Sequence, residues 1–258
     1  MTVSLIISTY NWPEALHLCL QSLQYQSVKP DEVIVADDGS TGEIKEIIDN
    51  FRKNYKRKIK HIWHPDTGFK LAEIRNKAVA ECISDYIIQI DGDVILHKDF
   101  IKDHKTFAQP NSFIKGRRVM IGKTKSENLL KHNSTAVSFL SADVKMREHG
   151  IRIPFYNKLF KSKEEKSADG VMGSNMAFWR KDFLAVNGYN NALKGWGAED
   201  KELAQRFVNQ GLVKRKIKFS AVQYNIYHTE SDKSRHDQQV AEVEKLKETR
   251  STHCENGF

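Results

Sequence analysis

Asp91 and Asp93, with Gly92 between them, have the side chains and the spacing to bind a ligand. They follow Tyr86 to Ile90, an apolar run that is typical of a buried strand in a parallel sheet. Because open α/β sheets bind ligands just past the carboxyl ends of their strands, we expect both carboxylates at a ligand site. Two such carboxylates can hold a hard divalent cation, which can neutralise a diphosphate. A solvated turn can have the same sequence, so the pair alone leaves both interpretations open.

Glu199 and Asp200 form a second acidic pair, at the start of a predicted helix. They follow Gly195-Trp196-Gly197-Ala198, and the two glycines let the backbone turn closely around a ligand. The helix dipole and the free N–H groups of the first turn keep such a carboxylate ionised. An ionised carboxylate can act as a general base towards a hydroxyl group. The alternative is an ordinary helix cap, since acidic residues favour first turns.

The first third of the chain alternates strands with helices, which implies a parallel sheet with right-handed crossovers. The predicted strands are Val3 to Thr9, Glu32 to Ala36, Lys60 to Trp63 and Tyr86 to Ile90. All four end in polar residues: Thr9-Tyr10-Asn11, Asp37-Asp38, His64-Pro65-Asp66 and Asp91-Gly92-Asp93. In a parallel sheet these ends share one edge, so we expect one polar crevice there. Asn11, followed by Pro13 and Glu14, is also predicted to cap the first helix.

The rest of the chain is less regular. Further strands are predicted at Ser112 to Ile121, Gly173 to Arg180, Ile217 to Ala221 and Gln223 to His228. Residues 123–168 have a weak, polar pattern, which predicts a loop-rich insertion. From Asp232 the chain is charged, and we expect a surface helix to about Thr249 followed by a frayed end.

Composition excludes several classes of protein. The chain has 258 residues, 40% of them hydrophobic and 29% charged, which is typical of a soluble globular protein. It has no apolar run of membrane-spanning length and no signal peptide at its start, so we expect a cytoplasmic protein. Cys19, Cys82 and Cys254 lack metal-site spacing and are expected to be reduced thiols. The net charge of +8 is compatible with nucleic acid, an anionic membrane surface or an anionic small substrate as partner.

Several motifs in this order resemble an inverting glycosyltransferase of family 2, which has the GT-A fold. The motifs are Ser8-Thr9-Tyr10-Asn11, Asp37-Asp38-Gly39-Ser40, Arg75-Asn76, Asp91-Gly92-Asp93, Gly173-Ser174-Asn175, Gly195-Trp196-Gly197-Ala198-Glu199-Asp200 and His228. The last glycine-rich motif is the most specific and resembles galactosyl- and N-acetylgalactosaminyltransferases. The resemblance implies an α/β fold with a mainly parallel, Rossmann-like sheet and helices on both faces. It also implies a nucleotide-sugar-binding half (1–110), an acceptor-binding and catalytic half (111–231) and a charged tail (232–258).

The resemblance also assigns roles to individual residues. Those expected at the nucleotide-sugar donor are Thr9, Tyr10, Asn11, Asp38, Arg75 and Asp91, with Arg75 meeting the base or the diphosphate. Asp93 and His228 are expected to ligate Mn²⁺ or Mg²⁺, which would help the diphosphate to leave. Asp200 is expected to be the catalytic base, while Asn175, Trp196 and Glu199 contact the sugar or the acceptor. His61, His64 and His97 receive no role.

The sequence thus predicts a metal-dependent transferase that moves a hexose from a UDP-sugar to a hydroxyl of a glycan or glycolipid acceptor. Galactose or N-acetylgalactosamine is the expected sugar, and cell-surface polysaccharide or lipooligosaccharide synthesis the expected process. The charge suggests peripheral association with the inner face of the membrane and not binding of nucleic acid.

Two other functions remain open at this stage. A sugar-phosphate nucleotidylyltransferase shares a similar sheet, but needs a glycine-rich, arginine-bearing loop where this chain has Thr9-Tyr10-Asn11-Trp12. A non-enzymatic polyanion-binding protein would explain the charge but not the carboxylates. The sequence lacks the glycine-rich motifs of dinucleotide-binding Rossmann enzymes and P-loop NTPases, which disfavours both.

Overall fold

The computed structural model describes residues 1–153, 155–156, 164–193, 197–229 and 236–258, the first four residues of the last range by their backbone only. Strands and helices alternate at the start, as predicted. They are β1 (Val3–Thr9), α1 (Pro13–Gln24), β2 (Glu32–Asp37), α2 (Gly42–Arg52), β3 (Lys58–Trp63), α3 (Leu71–Ala80) and β4 (Tyr86–Asp91). All three pairings among these strands are parallel, so their carboxyl ends lie at one edge of the sheet.

The chain continues with shorter elements that extend this sheet and build a second one. These are β5 (Val94–Leu96), α4 (Phe100–Phe107), β6 (Ser112–Lys115), β7 (Val119–Ile121), α5 (Lys123–Lys131), β8 (Val144–Lys145), a 3₁₀ turn (Arg147–Gly150), β9 (Glu164–Glu165), β10 (Asn175–Trp179), α6 (Arg180–Ala185), α7 (Glu199–Asn209), β11 (Val213–Lys216), β12 (Gln223–Asn225) and α8 (His236–Thr249). Within the described residues the main sheet has the order β3-β2-β1-β4-β10-β6-β11-β9, and the smaller one β5-β12-β7-β8. In the main sheet β10 is antiparallel to β4 and β6.

Helices cover both faces of the main sheet, as the sequence predicts. On one face, apolar residues of α1, α2 and α4, such as Leu16, Ile44 and Phe100, are buried against the strands. On the other face, α3, α6 and α7 bury residues such as Ile74 and Phe207. Strands covered on both sides need apolar residues at successive positions, and this explains the unbroken apolar runs of β1, β2 and β4. The predicted α/β architecture is confirmed.

Two of the predicted strands are wrong. Residues 112–121 form two strands in different sheets, because the chain leaves the main sheet at Gly116, where a Cβ would overlap the side chain of Asn175. Residues 217–221 form no strand, because Phe219 and Ala221 have φ angles of 53° and 49°. A positive φ turns the backbone out of the extended conformation that a strand requires.

The predicted cap of the first helix is also wrong. Asn11 has a φ of 42° and its Oδ1 accepts a hydrogen bond from the backbone N–H of Thr41 at 2.9 Å. The helix starts at Pro13, and no side chain caps it. Asn11 therefore joins the loops that follow β1 and β2, at the edge where the polar strand ends meet.

The predicted loop-rich insertion contains a helix and is attached to the core. Arg152 donates two hydrogen bonds to Asp103 of α4, at 3.0 and 2.8 Å, and forms an ion pair with Asp99 at 3.2 Å. Helix α5 packs on α1. Residues 154 and 157–163 of this segment lie outside the described part of the chain.

The end of the chain is packed rather than frayed as predicted. The carbonyl of Gly257 accepts a hydrogen bond from Asn191 Nδ2 at 2.6 Å, and Asn187 Nδ2 donates to the carbonyl of Cys254 at 2.7 Å. Gly257 allows this approach, because a Cβ there would overlap the carbonyl of Asn187. The final residues therefore support the turn at Asn187 and Gly188.

Two further expectations concern the cysteines and the membrane. Cys19, Cys82 and Cys254 are buried free thiols, as predicted. Among the helices in the described residues, none has the length and apolar content to cross a membrane.

Candidate functional site

The polar strand ends meet at the edge of the main sheet, where backbone hydrogen bonds hold them together. The N–H of Asp38 donates to the carbonyl of Thr9 at 3.0 Å, and the N–H of Gly92 to that of Ser8 at 2.7 Å. A Cβ at Gly92 would lie 3.1 Å from the Ser8 carbonyl oxygen, so glycine permits this close contact. The predicted crevice is therefore formed by the ends of β1, β2 and β4.

Asp38 lies on the β2 side of this crevice in a hydrogen-bonded cluster. His64 Nε2 lies 2.7 Å from its Oδ1, and the backbone N–H of Lys70 donates to its Oδ2 at 3.0 Å. Burial raises the pKa of the Asp38 carboxyl. Tyr10, 51% exposed, donates from its hydroxyl to Asp66 at 2.9 Å. His64 and Asp66 follow β3, the fourth strand end of the predicted crevice, and complete a polar shelf with Tyr10 and Asp38.

Asp93 and His228 come together on the other side of the Asp91-Gly92-Asp93 turn. Asp93 Oδ2 lies 3.3 Å from His228 Nε2. His228 Nδ1 lies 2.8 Å from the carbonyl oxygen of Thr229, and since a carbonyl only accepts, Nδ1 carries the hydrogen. In the neutral imidazole the lone pair of Nε2 then faces a carboxylate oxygen. Two acceptors this close need a proton or a cation between them.

The surroundings of Asp93 fit a divalent cation. Its Oδ1 is buried without a hydrogen-bond partner among the described residues. Burial and the neighbouring Asp91 raise the pKa of Asp93 to about 7, and a bound cation would restore the ionised form. No three acidic, histidine or cysteine side chains in the described residues converge on one point. A cation held here by Asp93 and His228 would therefore need further oxygen ligands from phosphate or water, which is how Mg²⁺ is usually bound.

Helix α5 of the insertion supports His228. Ser126 Oγ accepts a hydrogen bond from the backbone N–H of Tyr227 at 2.8 Å. A cavity of about 310 Å³ adjoins His228; Trp12, Tyr227 and Leu130 contribute to its lining. The sequence missed this role, because the weak periodicity of the segment did not indicate a helix.

Arg75 of α3 lies at the centre of the cleft and connects the two acidic pairs. Its side chain is 1% exposed, and its guanidinium lies 3.2 Å from Asp91, 2.9 Å from Asp200 and 3.4 Å from Glu199. Its Nε donates to Ser8 Oγ at 3.1 Å. Protein carboxylates enclose the guanidinium, and the expected contact of Arg75 with the donor's base or diphosphate stays a prediction. Burial raises the pKa of Asp91 despite the attraction of the Arg75 guanidinium.

Asp200, at the start of α7, is held by donors from four parts of the chain. Its Oδ1 accepts hydrogen bonds from Arg75, from the Tyr189 hydroxyl at 2.7 Å and from Gln89 Nε2 at 3.3 Å. Its Oδ2 accepts one from the backbone N–H of Gly173 at 2.7 Å. An ionised carboxylate has about four lone-pair sites, so Oδ2, with one donor among the described residues, can accept another hydrogen bond. The side chain is 13% exposed, and the free position can meet a proton donor from the cleft.

Glu199 precedes Asp200 and is more deeply buried, at 7% exposure of its side chain. Its Oε2 has no hydrogen-bond partner among the described residues. Burial and then the negative charge of Asp200 raise the pKa of Glu199 to about 7. A hydroxyl group from a ligand would satisfy this oxygen.

Asn175 and Trp196 were both expected to contact the sugar or the acceptor. Asn175 is 1% exposed, and its side chain is used internally: Oδ1 lies 3.0 Å from His104 Nε2, and Nδ2 donates to the carbonyl of Arg117 at 2.9 Å. The structure therefore does not bring Asn175 to the surface of the cleft. Trp196 lies outside the described residues.

Tyr189 and Gln89 are residues of the site to which the sequence gave no role. Tyr189 is fully buried, and besides Asp200 its hydroxyl lies 2.9 Å from Gln89 Oε1. Gln89 does carry a signal, because a polar residue within the apolar run of a buried strand needs a partner. Tyr189 carries none, because it follows a turn signal at Asn187 and Gly188 and its partners are distant in the sequence.

Comparison with known proteins shows which family models the sequence matches. The sequence matches the family model described as "Glycosyl transferase family 2" over residues 4–186. Residues 154–230 match a second one, described as "N-terminal domain of galactosyltransferase".

The chain is also similar to individual proteins. It is 26% identical over 236 residues to a chondroitin synthase of Escherichia coli, covering 83% of this chain and 33% of that protein. For a chondroitin synthase of Pasteurella multocida the identity is 25%, over 83% of this chain and 24% of the relative. The chain thus spans a third or less of the length of these relatives.

Solved structures agree on the fold. TarS of S. aureus in complex with UDP has a TM-score of 0.63 and 18% identity, and the match covers 97% of this chain and 65% of TarS. GalNAc-T7 with UDP, GalNAc and Mn²⁺ has a TM-score of 0.68 and 17% identity, over 95% of this chain and 48% of the other.

Proposed function

The chain belongs to glycosyltransferase family 2, and from this premise we propose that it transfers a hexose from a UDP-sugar to a hydroxyl of a glycan or glycolipid acceptor, with inversion. Galactose or N-acetylgalactosamine is the proposed sugar. The match of residues 154–230 to a galactosyltransferase domain and the UDP and GalNAc bound to GalNAc-T7 support this choice. Both chondroitin synthases act on glycans by name, which supports a glycan acceptor.

One observation carries the proposal: Arg75 joins Asp91 to Glu199 and Asp200 within 3.4 Å in a single cleft. Asp93, the candidate metal ligand, lies two residues after Asp91. A donor diphosphate held near Asp93 and an acceptor hydroxyl at Asp200 could therefore meet in this cleft. In our assignment the nucleotide lies along the ends of β1 and β2, on Thr9, Tyr10, Asn11 and Asp38. The sugar then extends past Asp91 towards α7.

The proposed chemistry uses one displacement at the anomeric carbon. Asp200 takes the proton of the acceptor hydroxyl through the free position on Oδ2, while Oδ1 stays bonded to Arg75 and Tyr189. The unpartnered Oε2 of Glu199 accepts a hydrogen bond from a sugar hydroxyl and fixes the ring. Asp93 and His228 would hold Mn²⁺ or Mg²⁺, which supplies positive charge to the leaving diphosphate.

A donor screen with and without metal tests the proposal. We expect the protein to hydrolyse UDP-galactose or UDP-N-acetylgalactosamine slowly without acceptor, to prefer UDP- over GDP- and dTDP-sugars, and to stop in excess EDTA. Asp93→Ala should also abolish turnover and weaken Mn²⁺ binding, which titration calorimetry can measure independently. Hydrolysis in EDTA at the full rate would contradict the metal assignment, and preference for another nucleotide would contradict the donor assignment.

The setting of the reaction is a further part of the proposal. We place the enzyme in the cytoplasm, in synthesis of cell-surface polysaccharide or lipooligosaccharide, with weak attachment to the inner membrane face. The net charge of +8 supports attachment to an anionic surface.

A further inference from the structure

A row of side chains runs from Asp200 across the main sheet to Lys115. Gln89, which donates to Asp200, lies opposite Met176 of β10, and Met176 lies opposite Lys115 of β6. Residues directly opposite in neighbouring strands share one face of a sheet. Lys115 therefore lies on the same face as Asp200, two strands or about 10 Å from Gln89 along the sheet. An acceptor with its hydroxyl at Asp200 could therefore reach Lys115 with the same sugar unit or the next one.

Arg117 lies two residues after Lys115 in the chain. The N–H of Gly116 donates to the carbonyl of Asn175 at 2.8 Å, and Asn175 lies opposite Ile90, which precedes Asp91. The chain has left the main sheet at this point, but Arg117 stays close enough to Lys115 for its charge to act on the Lys115 ammonium. The two cations lie on the side of β4 that is remote from β2 and β3, where we place the nucleotide.

Hydrogen bonds hold the backbone of this segment in position. Asn175 Nδ2 donates to the carbonyl of Arg117 at 2.9 Å, and the N–H of Ile217 donates to the carbonyl of Lys115 at 3.2 Å. These bonds explain why Asn175 is buried and unavailable to a sugar. They make the segment a rigid support for its two charged side chains.

Lys115 and Arg117 make no direct ion pair within the described residues, unlike the neighbouring lysines of β11. Glu165 lies 3.2 Å from Lys214 and 2.8 Å from Lys216. Lys115 and Arg117 are half-buried, and neither side chain forms a hydrogen bond or an ion pair within the described part of the chain. Burial, and then the charges of Lys216, Lys214 and Arg117, lower the pKa of Lys115, and the attraction of Glu165 offsets only part of this shift.

We infer that Lys115 and Arg117 form an anion-binding subsite on the acceptor side of the cleft, and that the acceptor is an acidic glycan with a carboxylate or phosphate near the hydroxyl that is glycosylated. The inference rests on the proposed function, because Asp200 defines where the acceptor hydroxyl lies. Arg117 can bind either anion with two parallel hydrogen bonds, and Lys115 adds a point charge. Arg118 acts instead on Asp91 and Asp93, so we assign it to the donor side.

Matched oligosaccharide pairs test the inference by binding, without turnover. One pair ends in a hexuronic acid or in the same sugar with its carboxylate reduced to an alcohol; a second carries or lacks a phosphate. With UDP and Mn²⁺ present, we expect wild type to bind one acidic member about tenfold more tightly or better, the value of one charge-assisted hydrogen bond. The pair that shows the preference identifies the anion.

The double variant Lys115→Met/Arg117→Gln should lose this preference and keep its affinity for UDP and its slow donor hydrolysis. Lys45→Met/Arg52→Gln removes one lysine and one arginine charge from exposed positions on α2 and should retain the preference. If the double variant melts early, Arg117→Gln alone is the variant to compare. Its preference should fall at least threefold, or by about 0.7 kcal/mol.

Three results would overturn the inference. Wild type could fail to distinguish either pair, the Lys115 and Arg117 variants could keep the full preference, or those variants could lose affinity for UDP instead. The last result would assign the cations to the donor diphosphate. Failure of the proposed function has a different signature, because wild type would then hydrolyse no nucleotide sugar whatever it binds.

Discussion

At the residue scale, Asp200 has the geometry of a base that is fixed on one oxygen and available on the other. Three donors approach Oδ1, while Oδ2 accepts one hydrogen bond, from Gly173. A helix cap would bond the N–H groups of its own first turn. The donors to Asp200 come from α3, β4 and two loops, which fits a catalytic role better than a cap.

The first prediction concerns Asp200→Asn, which retains the shape of the side chain but accepts no proton. Loss of general-base help should reduce turnover by at least about 10²-fold. The affinity for UDP and metal should change little. Because donors surround the carboxylate, the variant should also lose about 1–3 kcal/mol of stability. Turnover, UDP affinity and melting temperature are measured on the same protein, and a nearly unchanged rate would transfer the role of base to Glu199.

The second prediction concerns the pH dependence of stability that Glu199 introduces. Its pKa is about 7 in the folded chain and near 4.5 when unfolded, so the folded state holds an extra proton between these values. The group's contribution to stability is present below about pH 4.5 and is lost as the pH rises through about 7.

Glu199→Gln cannot titrate, so the comparison with wild type isolates this effect. Wild type should lose stability relative to the variant between pH 4.5 and about 7, by on the order of 1–3 kcal/mol. Urea unfolding across this range measures the difference. A difference that does not change with pH would show that folding does not raise the pKa of Glu199.

At the element scale, the position of Asp200 depends on a loop that precedes β10. Gly173 donates its N–H to Asp200, and a Cβ on Gly173 would overlap the Asp200 carboxylate. The turn at Asn187 and Gly188, supported by the end of the chain, supplies Tyr189 to the same carboxylate. The position of Asp200 is thus decided by loops on both sides of β10 and α6, and only partly by its own helix.

The third prediction is that Gly173→Ala moves Asp200 out of place. We expect turnover to fall about tenfold or more, since displacement of a catalytic group by about 1 Å can cost 10²-fold. UDP affinity should be retained, because Gly173 lies away from the ends of β1 and β2. The matched control is Gly42→Ala in the first turn of α2, where an added Cβ meets no atom within 4 Å. That variant should keep full activity, and equal activity of both variants would contradict the role of Gly173.

At the scale of the whole molecule, the structure changes the interpretation of the positive charge. Basic residues cluster at 52–58, 158–166 and 214–216. Lys214 and Lys216 are paired with Glu165, and most of the cluster at 158–166 lies outside the described residues. The cluster at residues 52–58 precedes and begins β3, so it lies at the edge of the sheet opposite to the crevice. It is the part of the described surface on which attachment to anionic lipid can be tested.

The fourth prediction is therefore weak, salt-sensitive binding to anionic liposomes. Exposed charges are screened within about 10 Å at 0.1 M salt, so binding should fall steeply as salt increases. Lys56→Ala/Arg57→Ala/Lys58→Ala should reduce binding in a liposome sedimentation assay and leave donor hydrolysis unchanged. Binding to neutral liposomes with equal affinity would contradict an electrostatic attachment.

The sequence by itself determined the part of the site that depends on local pattern. Unbroken apolar runs identify β1, β2 and β4 as buried strands, and the helices between them make those strands parallel. Parallel strands place their carboxyl ends at one edge, so the sequence alone predicts that Thr9, Asp38 and Asp91 lie close together. The order of the motifs also indicated the family, which the comparison confirmed over residues 4–186.

Only the tertiary structure decided the partners of these residues. Arg75 and Asp200 are 125 positions apart, Tyr189 and Gln89 are 100 apart, and no periodicity relates side chains at such separations. The same holds for Asn175, which a motif assigns to the sugar and the fold buries beside His104. The spacing of apolar residues in a sequence indicates which face of a helix or strand is buried, because each kind of element has its own period. The packing of one element against another determines which charged side chains meet in this cleft, and the spacing within one element does not show that packing.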